Sequence, residues 1–508
     1  MRERSCLLSS SSPRGVGRLT AILLALAAAA SPVAARAGTD LMPMLRQATE
    51  RVSADDCAGA LKLFDKAVRD PAFAALDPSV RFSTAQLGAN CGEALADEAA
   101  MQRYALLGSP LDTRVGFLWG LRLWSDLKRD DAAGAVATME GMAATNPAAL
   151  DAMPLGSIDD VHHLVEEAGK PDLLDRLLVV LTDSTYQPDD PLGGKGYYLF
   201  QRAERLAQAG DQRTAGVLLQ RIEEGDLLMQ AAVHPNLAPL LPADIDFRAA
   251  RERELERARE IAASHMHSLG AVVAIAQHLR RLGRPEEAVA TLEAFAPEGA
   301  LAGSYSDRDV QTRWFWDEMA RNLRRAGRPE QAVAALARGL GASQDGGPNV
   351  DQGINLVFLH VRYGQPAAAL AAAKTVGLDN KDLSAFGLME LRAGQGCARA
   401  LSGDRAGLAD DIAYARSHAT EHPLALLHLL ACAGDLDGAA AALVTGLDDP
   451  AERAGMLLLL SDYDAAHASM PLLPLERALP VLKQRPDVQA AIRRAGGTRR
   501  FPLQADEL

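Results

Sequence analysis

Leu282-Gly283-Arg284-Pro285-Glu286-Glu287-Ala288 and Ala326-Gly327-Arg328-Pro329-Glu330-Gln331-Ala332 are two copies of one phrase. A leucine-rich stretch with helical patterning runs into Gly, Pro follows two residues later, then acidic residues, and Ala begins a second apolar-periodic stretch. Ala209-Gly210-Asp211, Tyr363-Gly364-Gln365-Pro366 and Ala433-Gly434-Asp435 repeat it, with weaker copies at Ala168-Gly169-Lys170-Pro171 and Ser402-Gly403-Asp404. Five residues after these glycines stand Leu174, Ala215, Ala288, Ala332, Ala369, Leu408 and Ala439. Nine residues after them stand Leu178, Leu219, Leu292, Leu336, Ala373, Ile412 and Leu443. All are apolar, and a separation of four puts each pair on one face of one helix. Four residues before the glycines stand Val165, Leu206, Leu279, Leu323, His360, Arg399 and Leu430, mostly apolar, so another helix precedes each turn.

The unit has a physical logic. Gly takes the left-handed conformation that ends a helix. Pro is favoured in the first turn of the next, where Glu286, Glu287 and Glu330 meet the positive end of the helix dipole. Ala at the fifth position lets two helices approach closely. The Gly-to-Gly spacings are 41, 73, 44, 37, 39 and 31, so the gap of 73 holds one degenerate copy. Asp130 precedes Gly169 by 39 residues, with Ala135 and Met139 at the same offsets, and marks a further unit.

This pattern resembles the tetratricopeptide-repeat and Sel1-like superfamily of helical repeat proteins, from about Asp40 to Arg494. The best copies are Gly270 to Pro297 and Arg313 to Leu340, where Trp316 matches the family's large aromatic. Ala276 and Ala320 stand where the family has a mid-helix Gly, and the spacing is irregular. The resemblance implies an all-α, right-handed α-solenoid of about nine to eleven antiparallel helical hairpins, whose first helices line a concave binding surface. The expected organisation is a signal peptide over 1–37, a solenoid over 38–495 that is irregular around 186–262, and a flexible C-terminal tail over 496–508. Within the irregular stretch, Arg248 to Glu260 alternates charge and reads as a solvated, salt-bridged helix.

Composition sets the outer limits. The 508 residues are 48% hydrophobic, enough for a packed core, and only 5% aromatic, against a β-sandwich. Net charge is −13 and the isoelectric point about 5.4, which argues against nucleic acid as partner. Arg2, Arg4, Arg14 and Arg18 precede an apolar run from Leu19 to Ala30, Ser31-Pro32 breaks it, and Ala35-Arg36-Ala37 supplies a small-x-small cleavage pattern. That is a Sec-type signal peptide without a twin arginine. Cleavage after Ala37 removes five of 53 basic and one of 66 acidic residues, leaving 48 and 65 and a net charge of −17. No later apolar run is long enough to span a membrane, so the mature chain is expected in the periplasm or secreted. The ending Ala505-Asp506-Glu507-Leu508 faintly resembles an endoplasmic-reticulum retrieval tail, but an acidic chain reaches Asp-Glu-Leu by chance.

Candidate chemistry is thin. His418-Ala419-Thr420-Glu421-His422 fits H-x-x-E-H, but Pro423 takes His422 out of helical geometry, so the match is read as a turn. His162-His163 with Glu166 and Glu167, and His265-x-His267, read as helix-surface histidines rather than metal ligands. Gly193-Gly194-Lys195-Gly196 lacks P-loop spacing. No cofactor is expected. Cys57 and Cys91 are 34 apart, Cys397 and Cys432 are 35 apart, and one repeat length places each pair on neighbouring helices, favouring Cys57–Cys91 and Cys397–Cys432 disulfides in an oxidising compartment.

The resemblance also implies which positions face the groove. They carry Arg280 and Arg281 before Gly283; Trp314, Asp317, Arg321, Arg324 and Arg325 before Gly327; and Arg362 before Gly364. Six arginines and Trp314 then form a basic strip suited to an acidic peptide, an acidic protein segment or an anionic glycan. The competing expectation is that they complement helix dipoles and pair with Glu286, Glu287 and Glu330. The functional expectation is an exported, non-catalytic scaffold for protein–protein interaction in the cell envelope. The alternatives are a component of envelope polysaccharide export or assembly, and an enzyme with its site in 186–262. Mass spectrometry of the mature protein is expected to find Gly38 at its N-terminus; retention of Met1 would remove the argument for export.

Overall fold

The computed structural model describes residues 41–190, 192–298, 303–342, 349–465 and 470–505. The expected signal peptide and its cleavage site lie outside the described residues. Among the described residues the chain forms 26 α-helices, three short 3-10 turns and one pair of parallel strands, β1 (Asp462–Asp464) and β2 (Arg500–Gln504). The architecture is all-α and built of antiparallel helical hairpins. Contacts divide the chain into one compact unit ending at Tyr198 and another beginning at Leu199, a division that falls within the stretch expected to be irregular. No described helix is long and apolar enough to cross a membrane.

Every turn glycine of the repeat is left-handed. Gly169, Gly210, Gly283, Gly327, Gly364, Gly403 and Gly434 have φ between 60° and 91°. Two devices start the helix that follows. Where Asp comes next, its carboxylate caps a backbone N–H three residues on: Asp211 takes Thr214, Asp404 takes Gly407 and Asp435 takes Gly438. Elsewhere Pro171, Pro285, Pro329 and Pro366 open the helix. The alanines five residues after the turns, Ala215, Ala288, Ala332, Ala369 and Ala439, have no exposed surface, as close helix packing requires.

The first unit uses the same turn without Gly. Asp55, Ala96 and Asp130 have φ of 57°, 51° and 55°, and Asp56, Asp97 and Asp131 behind them cap the next helix. Its core falls in two clusters, one from Leu41 to Leu121 and one from Trp119 to Tyr198. Cys57–Cys91 joins neighbouring helices of the first cluster, with Cα atoms 5.0 Å apart.

In the second unit the first helices of successive hairpins pack on one another. Leu269–Arg281 lies on Arg308–Arg325, and Ala385–Ser402 lies on both Val350–Arg362 and Pro423–Ala433. Cys397–Cys432 joins two of them, with Cα atoms 5.1 Å apart. The degenerate copy of the repeat is the helix pair Gly225–Val233 and Phe247–Ser264. The second of these is not a wholly solvated helix: Arg251 inside it is 2% exposed. Within this unit the row of hairpins returns on itself, since Gly225–Val233 packs on Arg453–Leu459 and one hydrophobic cluster runs from Leu199 to Leu503. Over the described part of the expected flexible tail, 496–505, the expectation is corrected: β2 pairs with β1 and buries Phe501 and Leu503 completely; 506–508 lie outside the described residues. Two alternating apolar residues in a five-residue strand supply the anchor that composition alone did not reveal.

A left-handed Ala costs about 1–2 kcal/mol relative to its right-handed form. Ala96→Gly is therefore expected to raise stability by about 0.5–1 kcal/mol and Gly327→Ala to lower it by about 1–2 kcal/mol. Urea denaturation midpoints check both; a neutral Gly327→Ala would show that the turn is not under this constraint.

Candidate functional site

The arginines singled out in the sequence lie in the second unit and are not a solvent-facing strip. Arg280, Arg281, Arg324, Arg325 and Arg362 are buried. Burying a guanidinium demands compensating acceptors, and the chain supplies them. Arg280 donates to Glu318 at 2.6 Å, linking the first helices of two hairpins. Glu318 in turn accepts from Asn322. Arg321 bonds Asp317 at 2.7 Å, and Asn355 of the next hairpin reaches the same carboxylate at 2.8 Å. Gln352 donates to the Arg313 carbonyl at 3.2 Å, a second tie between these helices.

The remaining arginines face the C-terminal part of the chain. Arg362 grips both oxygens of Glu476, at 2.6 and 2.7 Å, and the Pro471 carbonyl. Arg281 donates to the Gln504 carbonyl at 3.0 Å and to Asp226 at 3.0 Å. Arg325 donates to Gln504 Oε1 at 3.2 Å and to the Ala505 carbonyl at 2.6 Å. Arg324 is drawn into the same group: burial first, then Arg362, Arg321 and Arg325, push it well below the usual arginine value, with Glu476 opposing. Trp314, two turns before Arg321, stays 41% exposed with Arg313 across its ring. The expected open basic strip is thus an arginine cluster covered from within by residues 471–505. Arg280, Arg281, Arg324, Arg325 and Arg362 do stand in the last turns of their helices, where the dipole favours a cation, while Glu287 binds Arg284 and Arg259.

Beside it lies a second charged group that the sequence did not single out. Asp226, at the start of Gly225–Val233, holds both Arg251 and Arg281. Arg251 also contacts Glu254 and donates to His278 Nδ1 at 3.2 Å. Glu254 accepts from the Gly225 N–H at 3.1 Å. Burial raises the Glu254 carboxyl to about 7, against the lowering pull of Arg251 and the Gly225 N–H and with help from Asp226 and Glu224. Burial and Arg251 lower His278 to about 4, with Asp226 opposing. Glu254 and His278 thus flank one arginine with their titrations displaced in opposite directions.

The H-x-x-E-H segment separates at a turn. His418 ends Arg405–Ser417 and stacks on Tyr414 at 4.0 Å, while His422 precedes Pro423–Ala433 and pairs with Glu390. Among the described residues, His162, His163 and Glu166 do place one ligand atom each within 4.8 Å. His162 is not a surface histidine: it is 3% exposed and packs against Tyr197 and Tyr198.

No protein-family profile matches the sequence, and no curated protein does. Solved structures are similar at low level. The structure described as an APC/C hetero-tetramer Cut9-Hcn1 shares 14% identity over 90% of this chain and 97% of that chain, at TM-score 0.29. The P58(IPK) TPR domain shares 14% over 72% of this chain and 99% of that chain, at TM-score 0.20. Naa15/Naa10 bound to HypK-THB shares 12% over 90% of this chain and 88% of that chain, at TM-score 0.25. At such scores the fold rests on the chain's own hairpins.

The charged group around Arg251 has opposed pH dependences. Glu254 binds its proton more tightly when folded, so its contribution to stability is full below about 4.5 and is lost as pH rises to about 7. His278 is held neutral, so its contribution is full above about 6.5 and is lost as pH falls to about 4. Each slope is on the order of 1 kcal/mol per pH unit, and they cancel where they overlap. Relative to the unsubstituted chain, Glu254→Gln is expected to gain stability as pH rises from about 5 to 7, and His278→Gln to lose it over the same range up to about 6.5. Denaturation midpoints across pH check the signs; two parallel profiles would show that neither group is shifted.

Proposed function

We propose that this chain is an exported scaffold that holds protein partners in the cell envelope. The observation that carries the reading is the stack of helical hairpins in the second unit, which leaves Trp314 exposed and Arg321 part-exposed on the first helix of one hairpin. Export is supported by the basic-then-apolar segment before Ala37 and by the Cys57–Cys91 and Cys397–Cys432 disulfides, which persist in oxidising compartments. The finer reading, an acidic partner segment or an anionic glycan, rests on the exposed rim, where Trp314 and Arg313 lie two turns from the part-exposed Arg321.

A second reading is favoured by the Asp226–Arg251–Glu254–His278 group, which falls partly within the irregular stretch around 186–262 where an enzyme site was the alternative. A carboxyl near 7 beside a neutral imidazole suits general acid–base work. Glu254→Gln that abolishes a hydrolytic activity of the purified protein would decide for it.

The scaffold reading is tested with a photo-crosslinking residue at position 314. It should yield a discrete protein adduct in the envelope fraction, reduced at least about fivefold by Arg321→Glu. Absence of an adduct, or one unchanged by Arg321→Glu, would count against the partner site at this rim.

A further inference from the structure

Strand β2 is held through its main chain and its side chains alike. Arg281 and Arg325 take the carbonyls of Gln504 and Ala505, two in succession. β2 lies in parallel on β1, with Arg500 opposite Asp462 and Gln504 opposite Asp464. Just before the strand, the Asp462 N–H donates to the Arg499 carbonyl at 2.8 Å, and Arg499 Nε donates to the Ala232 carbonyl at 3.0 Å. Side chains add two anchors at alternate positions. Phe501 packs edge-on against Phe247, ring centres 5.0 Å apart, and Leu503 is fully buried. Gly496 and Gly497, both at positive φ, form the joint before the strand.

We propose that the cleft between β1 and the Arg281–Arg325 pair, floored by Phe247, is a strand-binding site. In this structure β2 fills it in cis. Its exchange occupant is an extended segment of a partner protein with apolar residues at two alternate positions. Guanidinium-to-carbonyl bonds read no side chain, and strand addition draws affinity from main-chain pairing while alternate side chains give selectivity. A segment carrying the Phe-x-Leu spacing meets the main-chain and apolar contacts of β2, whereas the bonds made by the Gln504 and Arg500 side chains depend on those residues. The double glycine lets β2 leave without disturbing the helix Pro486–Ala495 before it. The partner in this proposal rests on the scaffold reading; the site rests on the contacts alone.

The tether sets the strength of competition. A short linker holds β2 at an effective concentration of about 1 mM, so a free peptide that binds the vacated cleft at about 10 μM binds the intact chain roughly a hundredfold more weakly. The test uses the full chain with Phe501→Ser and Leu503→Ser, and a fluorescent peptide of residues 498–505 with the natural sequence. Anisotropy should show micromolar binding to this variant, binding roughly a hundredfold weaker to the unsubstituted chain, and at least about a tenfold loss on adding Arg281→Gln and Arg325→Gln. A variant with unaltered far-ultraviolet dichroism that does not bind the peptide overturns the proposal. Hydrogen exchange on the unsubstituted chain gives an independent reading. Amides of residues 500, 501, 503 and 504 should exchange by local opening, while those of Arg308–Arg325 wait for global unfolding. Exchange of both sets at one free energy overturns the proposal whatever the variant does. Peptide binding without an adduct at position 314 supports the site and removes the scaffold reading there; an adduct without peptide binding removes the site alone.

Discussion

A single left-handed residue between two antiparallel helices sets the geometry of each repeat turn. It reverses the chain in the space of one residue, so the next helix starts beside the end of the last. That register brings the fifth residue after the turn against the neighbouring helix, where Ala215, Ala288 and Ala332 leave no gap for a larger side chain. The first unit meets the same demand with Asp55, Ala96 and Asp130. Asp tolerates this conformation better than most residues with a Cβ; Ala does not. The Asp behind each turn compensates in part, because its cap adds about 1 kcal/mol to the next helix.

Close packing of first helices creates the second constraint. Polar residues on those helices are buried by the next hairpin, and each needs a partner. Arg280 with Glu318, Asp317 with Arg321 and Asn355, and Gln352 with the Arg313 carbonyl form a ladder across three hairpins. Such pairs add little net stability against an apolar filling, but a neighbour shifted by one residue would leave charges unmatched. The ladder therefore fixes the register in which one hairpin docks on the next, which Ala- and Leu-rich faces alone specify weakly.

Local periodicity made the hairpins legible. The turn glycines, the apolar positions behind them and the one-repeat spacing of the cysteines are all nearest-neighbour facts, and nearest neighbours are what a repeat encodes. The turns at Asp55 and Ala96 carry no Gly and so stand outside the glycine pattern; the Asp cap after each is their sequence signal. The arginines were assigned a face by their offsets, but an offset says nothing of what covers that face. Glu476, Gln504 and Ala505 come from 114 to 223 residues away from the arginines they meet, beyond any periodic pattern. Strand β2 was missed for the same reason, since a five-residue strand has no period long enough to stand out from a tail.

That separation explains why the second unit departs from an open stack. In a repeat whose contacts are all local, each hairpin stabilises only its neighbours and the row has two ends with exposed apolar faces. Here the ends meet: Gly225–Val233 rests on Arg453–Leu459, and Arg499 bonds the Ala232 carbonyl across 267 residues of sequence. This long-range contact orders a long loop of chain, a cost that grows only with the logarithm of loop length. Arg281 is the hinge of that arrangement. One guanidinium binds Asp226, at the start of the returning row, and the Gln504 carbonyl, near its end. Without the final segment, Arg281 and Arg325 would lose main-chain acceptors and β1 would present an unpaired edge. The hairpins thus build a cleft that requires a strand, and the chain carries one behind two glycines.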